Sequence, residues 1–389
     1  MSNNDTPDDG HLDRPSDDAD KPFFSSSQDD SSVGAGQPVK RKGFFRRHPV
    51  VLALTALAVV LLIGAGGAGV YLWWLDSQLG NIKRVDVGLG LTKTGQQAQD
   101  KPNQPLNILL LGTDDGNSKN TVADELNSGH WVPGSHRSDT IIIMHVPANR
   151  QSVQLVSIPR DSWVKVNGYP GDVNGYSKIN AAFSWGGPKL AITTVEQLTH
   201  ITINHLAIID WNGFKDLSTA LGGVRVYVPA TVYDSSQHVT WTKGWHTLQG
   251  DQALQYVRQR HGLANGDFDR INRQQNFMRA TMSKLLSSAK NPFELTKVVG
   301  VITQYLIVDS SWDNSEIRSL ALSMRNLSSS NVTFLTAPFG SYDTVAGQSI
   351  VRLDPTKSQL LFRDLNAGKL SQYLSRYPGS TLPNTTSVN

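Results

Sequence analysis

An α/β (α+β layered) domain, with a central mixed β-sheet flanked by helices and preceded by one transmembrane helix, is the architecture this 389-residue sequence predicts. Three observations lead there. Short apolar runs such as 106–111 alternate with longer amphipathic segments, as strands alternate with helices in a layered fold. That alternation contains no internal repeat, and the 39% apolar share is ordinary for a chain that buries a core. Ahead of it, Val50 to Leu75 is almost wholly apolar and uncharged, long enough to cross a bilayer core as a helix.

Residues 1–39 hold nine Asp against Arg14 and Lys21, about −7 in charge, with few large apolar groups. Too little surface can be buried there to offset ordering entropy, so 1–48 is expected to be a disordered acidic tail. It ends in a basic juxtamembrane cluster of Lys40, Arg41, Lys42, Arg46 and Arg47. That cluster orients the span at 49–75 by the positive-inside rule: the tail is cytoplasmic and the rest of the chain lies outside a cell membrane crossed once. Tyr71, Trp73 and Trp74 sit at the outer end, where aromatic rings favour the interface. A cleaved signal peptide is the rival reading, but the run is long and lacks a clear small-x-small site before Trp73. Residues 76–104, polar and broken by Gly and Pro, read as a stalk. A folded domain is expected over 105–375 and a flexible tail over 376–389.

Within the domain, strands are expected at 106–111, 140–146, 152–158, 205–210, 224–228 and 332–337. Helices are expected at 188–200, 211–221, 250–260, 268–289, 293–306 and 355–366.

Composition excludes several chemistries. Without cysteine there is no disulfide, thiolate nucleophile or cysteine metal site. The scattered histidines lack zinc-ligand spacing, and neither a Gly-x-Ser-x-Gly elbow nor a P-loop is present. The net charge of +3 leaves roughly +5 after residue 48, too weak and unclustered for nucleic-acid binding.

What remains gathers anionic-ligand residues at the ends of apolar runs. Asp114 follows Ile-Leu-Leu-Leu-Gly-Thr, and Asp139 precedes Thr-Ile-Ile-Ile-Met. Two such acids at strand ends could share a hard divalent cation, Mg²⁺ or Mn²⁺, or could each simply cap a turn. Arg137 lies beside Asp139. Arg160 and Asp161 end the run Val153–Pro159, and Lys178 follows a Gly- and Tyr-rich loop. Each of these also reads as ordinary surface charge. On a helix starting near Phe268, Ile271, Met278, Met282 and Leu285 form one stripe, while Arg270, Arg273, Gln274 and Phe277 share the next flank, which carries no acid. Arg258 and Arg260, two apart, converge only if their helix ends near His261-Gly262.

In this order, Gly-Thr-Asp, Arg-Ser-Asp-Thr, Ser-Ile-Pro-Arg-Asp, Lys-Ile-Asn and Val-Arg-Gln-Arg to Arg-Gln-Gln resemble the LytR-CpsA-Psr family of bacterial cell-envelope proteins over about 106–370. The resemblance implies a membrane-anchored phosphotransferase. Such an enzyme moves a glycopolymer from a polyprenyl-pyrophosphate carrier to a peptidoglycan hydroxyl in cell-wall assembly, releasing polyprenyl phosphate. It implies Asp114 and Asp139 as Mg²⁺-associated acids, with Arg160, Arg258, Arg260, Arg270 and Gln274 on the pyrophosphate. Arg137, Lys178 and Arg273 are further members of that set. The catalytic trio is then Arg160, Asp139 and Asp161, an acid taking the proton of the incoming hydroxyl. The long polar stretch between Asp114 and Arg137, with Trp131-Val-Pro-Gly134, departs from the family pattern. A polyprenyl-pyrophosphate phosphohydrolase, or a non-catalytic envelope regulator that binds lipid or polymer, would use the same residues.

Overall fold

The structure is a computed structural model that describes residues 70–71, 73–89, 104–114, 121–288 and 291–388. The expected acidic tail, its basic cluster and the expected span as far as residue 69 lie outside the described residues. Among the described residues no helix is long and apolar enough to cross a membrane.

The strands of the main sheet are β1 (Lys83–Val85), β2 (Leu106–Thr113), β3 (Ser138–Val146), β4 (Val153–Ile158), β7 (His205–Asp210), β12 (Ile307–Asp309) and β13 (Val332–Thr336). Between them lie β5 (Trp163–Lys165), β6 (Tyr176–Lys178), β8 (Val224–Val228), β9 (Val232–Asp234), β10 (Val239–Trp241) and β11 (Gly244–Leu248). The hairpin β14 (Phe339–Val345) and β15 (Gln348–Leu353) follows. Seven strands form one mixed sheet in the order β1-β12-β7-β2-β3-β4-β13. β2 pairs parallel with β7 and antiparallel with β3, β3 is antiparallel to β4, and β13 is parallel to β4. It follows that β2, β4, β7 and β13 all point their carboxyl ends at one edge, where β3 begins.

Alternation along these strands serves two cores. Leu109, Leu111, Ile141, Ile143, Val156 and Ile158 face one side, against Phe183, Val195 and Phe362. Ile108, Ile142, Val153 and Leu155 face the other, against Trp312, Leu320, Met278 and Met282. Because both faces are covered, the strands read as unbroken apolar runs. The helices are α1 (Val122–Ser128), α2 (Ile179–Thr199), α3 (Trp211–Ala220), α4 (Gly250–Arg258), α5 (Asp267–Ser288), α6 (Pro292–Tyr305), α7 (Asn314–Ser323), α8 (Pro355–Asn366) and α9 (Leu370–Arg376). α2 and α8 cover the first face; α5 and α7 cover the second. A third core, built on Val224, Val226, Val228, Leu248, Tyr256 and Phe277, lies to the side among α3, α4, α5 and α6.

Several expectations are corrected. The strand expected at 224–228 forms, but pairs with β11 in a hairpin outside the main sheet. The helix expected at 188–200 forms, but α2 also holds an unexpected helical segment from Ile179, joined to it at a kink where Gly186 and Gly187 leave helical geometry. Gly187 is required there: its φ is 64° and the Trp131 indole would meet a Cβ at 3.2 Å. Part of the expected stalk is built into the domain, since Lys83–Val85 pair with β12 and Val85 and Val87 are buried. The expected flexible tail is also docked: Leu382 N–H donates to Phe334 C=O at 2.9 Å, and Val388 is buried.

Candidate functional site

One sheet edge collects the charges. Thr113, the last residue of β2, lies opposite Asp210 of β7 in the parallel register. Asp114, Asp139, Arg160 and Trp211 therefore leave neighbouring strands on the same side, the usual place for ligands in open α/β sheets. At β2's end the backbone clasps the next chain: Asp114 N–H donates to Arg137 C=O (3.1 Å), and Arg137 N–H donates to the Asp114 carboxylate (2.8 Å). Burial pushes the Asp114 carboxyl above its ordinary value. The Arg137 N–H opposes that shift and the nearby charge of Asp139 adds to it.

Arg160 is the hub. Its guanidinium is hydrogen-bonded and ion-paired to Asp139, and its Nε lies 3.7 Å from Asp161. Asp161, largely buried, also faces Lys178 Nζ at 3.2 Å and Arg260 at 3.9 Å. Three cations thus converge on one carboxylate. Local backbone holds them there: Asn180 N–H donates to Arg160 C=O (3.2 Å) and Ile179 N–H to Ser162 C=O (2.8 Å). These bonds dock the first turn of α2, with Lys178 at its N-cap, against the Arg160–Asp161 turn. An open cleft of about 530 Å³ lies above, lined by Arg137, Arg160, Asp161, Lys178, Asn180 and Trp185 among others.

The remaining expected residues fall differently. α4 ends at Arg258 and Gln259 is extended, so Arg258 and Arg260 part company. Arg258 lies over the Trp211 indole, 3.8 Å from its centroid, which keeps it on the same sheet edge. Arg260 turns to Asp161. The flank expected to project Arg270, Arg273 and Gln274 is itself packed. Arg270 and Arg273 are buried, Phe277 belongs to the third core, and Gln274 Nε2 donates to Val257 C=O at 3.3 Å. Arg273 is not brought to the cleft. It donates to the buried Gln259 side chain and stacks over Tyr256 at 4.7 Å, and burial pulls its guanidinium below its ordinary value. The physical reason is that α5 is covered on two sides, by the sheet and by the third core, so helical periodicity alone assigns no solvent-facing flank.

Arg273 nonetheless bears on the site. By holding Gln259 it fixes the start of the loop that carries Arg260, while Asn265 N–H, bonded to Asp269 at 2.9 Å, fixes its end. The described part of the long stretch before Arg137, residues 121–136, also has a definite place. A Thr121 capping box starts α1, and Trp131 Nε1 and Gly134 N–H both donate to Ser184 C=O, at 3.2 and 2.9 Å. Pro133 and Gly134 thereby become cleft wall. The wall residues Tyr169, Ser184, Trp185 and Gln348 carry no motif; only the Gly- and Tyr-rich loop before Lys178 hinted at them.

Two carboxylates at one strand edge suit Mg²⁺, which binds through few protein ligands and keeps waters or phosphate oxygens. No group of three or more His, Cys, Asp or Glu is poised as a metal cage among the described residues.

The chain is similar to several known proteins. The chain is 32% identical over 361 residues to "Cell wall biosynthesis protein LcpA" of Corynebacterium glutamicum, covering 85% of this chain and 67% of that protein. It is 30% identical over 260 residues to "Polyisoprenyl-teichoic acid--peptidoglycan teichoic acid transferase TagV" of Bacillus subtilis, covering 64% of this chain and 60% of the relative. The crystal structure of Bacillus subtilis TagV superposes with a TM-score of 0.56 at 26% identity, covering 69% of this chain and 98% of that one. The profile of the LytR_cpsA_psr family matches residues 82–365, and the chain belongs to that family.

Proposed function

We propose that this protein transfers a glycopolymer from a polyprenyl-pyrophosphate carrier to peptidoglycan during cell-wall assembly. The observation that carries the reading is the convergence of Arg160, Lys178 and Arg260 on Asp161, beside the carboxylates of Asp139 and Asp114. The names of the relatives, a cell wall biosynthesis protein and a teichoic acid transferase acting on peptidoglycan, support it. In this reading residues 49–75 anchor the chain in the cell membrane, and the folded domain works outside the cytoplasm on carrier and wall.

Phosphoryl transfer asks little covalent chemistry of a protein, but it asks for charge neutralisation as the leaving phosphate gains electrons. Arg160 and Lys178, with Arg137 on the same cleft wall, would take the diphosphate oxygens in place of their present carboxylate partners. Arg260 would close from the loop, and Arg258 and Arg270 would add field from the same side. Mg²⁺ (or Mn²⁺), held by Asp114 and Asp139, would neutralise the non-bridging oxygens. Once the cations move onto the diphosphate, an Asp161 oxygen is free to accept the proton of the incoming sugar hydroxyl. The hydroxyl oxygen bonds the phosphorus that carries the glycopolymer, and the bond from that phosphorus to the bridging oxygen breaks. Polyprenyl phosphate leaves with the electron pair.

The test supplies purified protein and Mg²⁺ with labelled lipid-linked oligosaccharide and peptidoglycan fragments. A covalent adduct of label and peptidoglycan is expected. Free oligosaccharide phosphate alone would make the protein a hydrolase, and no turnover would leave a binding protein.

A further inference from the structure

A second hollow opens on the other side of Arg260. It measures about 520 Å³ and is lined by Arg260, Asn265, Phe268, Phe339 and Tyr342 along with small residues. Phe268 from α5 and Phe339 and Tyr342 from β14 form one aromatic cluster. Their ring centroids are 4.7 Å (Phe268 to Phe339), 4.9 Å (Phe339 to Tyr342) and 5.8 Å (Phe268 to Tyr342) apart. The cluster is not interior packing: Tyr342 is 54% and Phe339 39% exposed, on a strand whose residues nearly all face solvent. Contiguous aromatic surface around a hollow marks a ligand groove more often than it marks chance exposure.

Resting on the function proposed above, we propose that this hollow is the acceptor subsite, where a glycan strand of the peptidoglycan type stacks its sugar rings on Phe268, Phe339 and Tyr342. Sugar rings present positively polarised C–H faces that suit the negative faces of aromatic rings, and their hydroxyls and amides need polar partners at the rim. The Arg260 guanidinium and the Asn265 amide supply those partners. A lipid chain would have no use for them, and would favour a closed apolar channel over an open groove. Location argues the same way. Arg260 pairs with Asp161, which lines the first cleft, so the two hollows meet at that pair. The β14–β15 hairpin is pinned beside it, Val351 N–H donating to Asp161 C=O at 2.9 Å. A glycan lying on the rings would end with a hydroxyl near Asp161 and the phosphorus.

The experiment measures binding of a soluble N-acetylglucosamine–N-acetylmuramic acid tetrasaccharide to the full chain, by calorimetry and by ring-proton saturation transfer. Tyr342→Ala and Phe339→Ala should each weaken it at least tenfold. Tyr342→Phe should stay within about threefold of wild type, since the ring is kept and the hydroxyl's bond to Asn265 C=O is long, at 3.4 Å. Trp245→Ala, which removes an equally exposed ring far along the chain on β11, should change nothing. Wild-type affinity in both alanine variants overturns the proposal. So does failure of the wild type to bind the tetrasaccharide, or loss of affinity for a short polyprenyl phosphate in place of the sugar. Transfer of label from the lipid-linked donor to peptidoglycan fragments, measured on the same wild-type preparation, tests the proposed function separately: its absence would sink that reading and leave the sugar-binding result standing.

Discussion

At the scale of single residues, the site is a chain of alternating charge in which each carboxylate holds a place that phosphate would take. Arg160 joins Asp139 to Asp161, and its planar fork suits both them and a diphosphate. Arg160→Lys keeps the charge but loses the second point of contact, so transfer should fall by roughly 10²-fold or more with the melting temperature little changed. Single-turnover rates on the purified variant read this, and near-normal rates would remove Arg160 from the reaction. Asp114 gives a prediction in pH. Its carboxyl is raised above the usual range, mainly by burial, so its contribution to stability is present in acid and is lost as pH rises through the raised value. Asp114→Asn keeps an oxygen for the Arg137 N–H and removes that penalty. Without divalent ions, the variant should melt above wild type at pH 7, and the two should draw together below the ordinary carboxylate range. Equal gaps at pH 3 and pH 7 would contradict the assignment. Mg²⁺ given together with pyrophosphate should raise wild type more than the variant.

At the scale of elements, α5 ties the site to both neighbouring layers. Gln275 Nε2 donates to Ser157 Oγ, Leu335 C=O and Thr336 Oγ1, locking the helix onto the ends of β4 and β13. Gln275→Ala strands those acceptors and should cost about 1–3 kcal/mol by denaturant titration. Two residues earlier in α5, Arg273→Ala leaves the buried Gln259 oxygen unpaired beside a cavity and should cost about 3 kcal/mol. It should also raise the donor KM, because the Arg260 loop loses its anchor; an unchanged KM would show that the loop holds itself. The same helix marks the limit of reading by pattern. Ile271, Met278 and Met282 were legible as core from their spacing. The burial of Arg273 and Phe277 was not, because a sequence does not say that a hairpin at β8 and β11 covers the second flank. Strands β2, β3, β4 and β7 were legible because both faces are buried and their apolar runs are unbroken. β1 and β12, three residues each, were too short to stand out, and they exist by pairing with one another and with β7. Asp114, Asp139, Arg160 and Lys178 were legible as strand-end charges in a known order. The aromatic residues of β14 were invisible, since nothing local says that this strand stays outside the sheet.

At the scale of the whole molecule, the sheet order explains why this edge is the site and what its ligand must do. Four strands deliver their carboxyl ends to it, and the antiparallel β3 begins there, so acids and bases from distant parts of the chain are set side by side. Around the first cleft stand four cations, Arg137, Arg160, Lys178 and Arg260, against three carboxylates, Asp114, Asp139 and Asp161. Pyrophosphate alone would meet those carboxylates with like charge, and Mg²⁺ alone would meet the arginines. Neither should stabilise the fold much by itself. Together they satisfy both halves, and at about one hundred times the dissociation constant the pair should add about 2.7 kcal/mol, a thermal shift of several degrees. Melting curves with Mg²⁺, with pyrophosphate and with both decide the matter. If pyrophosphate stabilises the protein equally with and without Mg²⁺, the acids are not metal ligands and the arginines alone define the anion site. In Asp139→Asn the synergy should shrink while the effect of pyrophosphate alone should grow, because one repelling charge is gone and Arg160 has one competing carboxylate fewer.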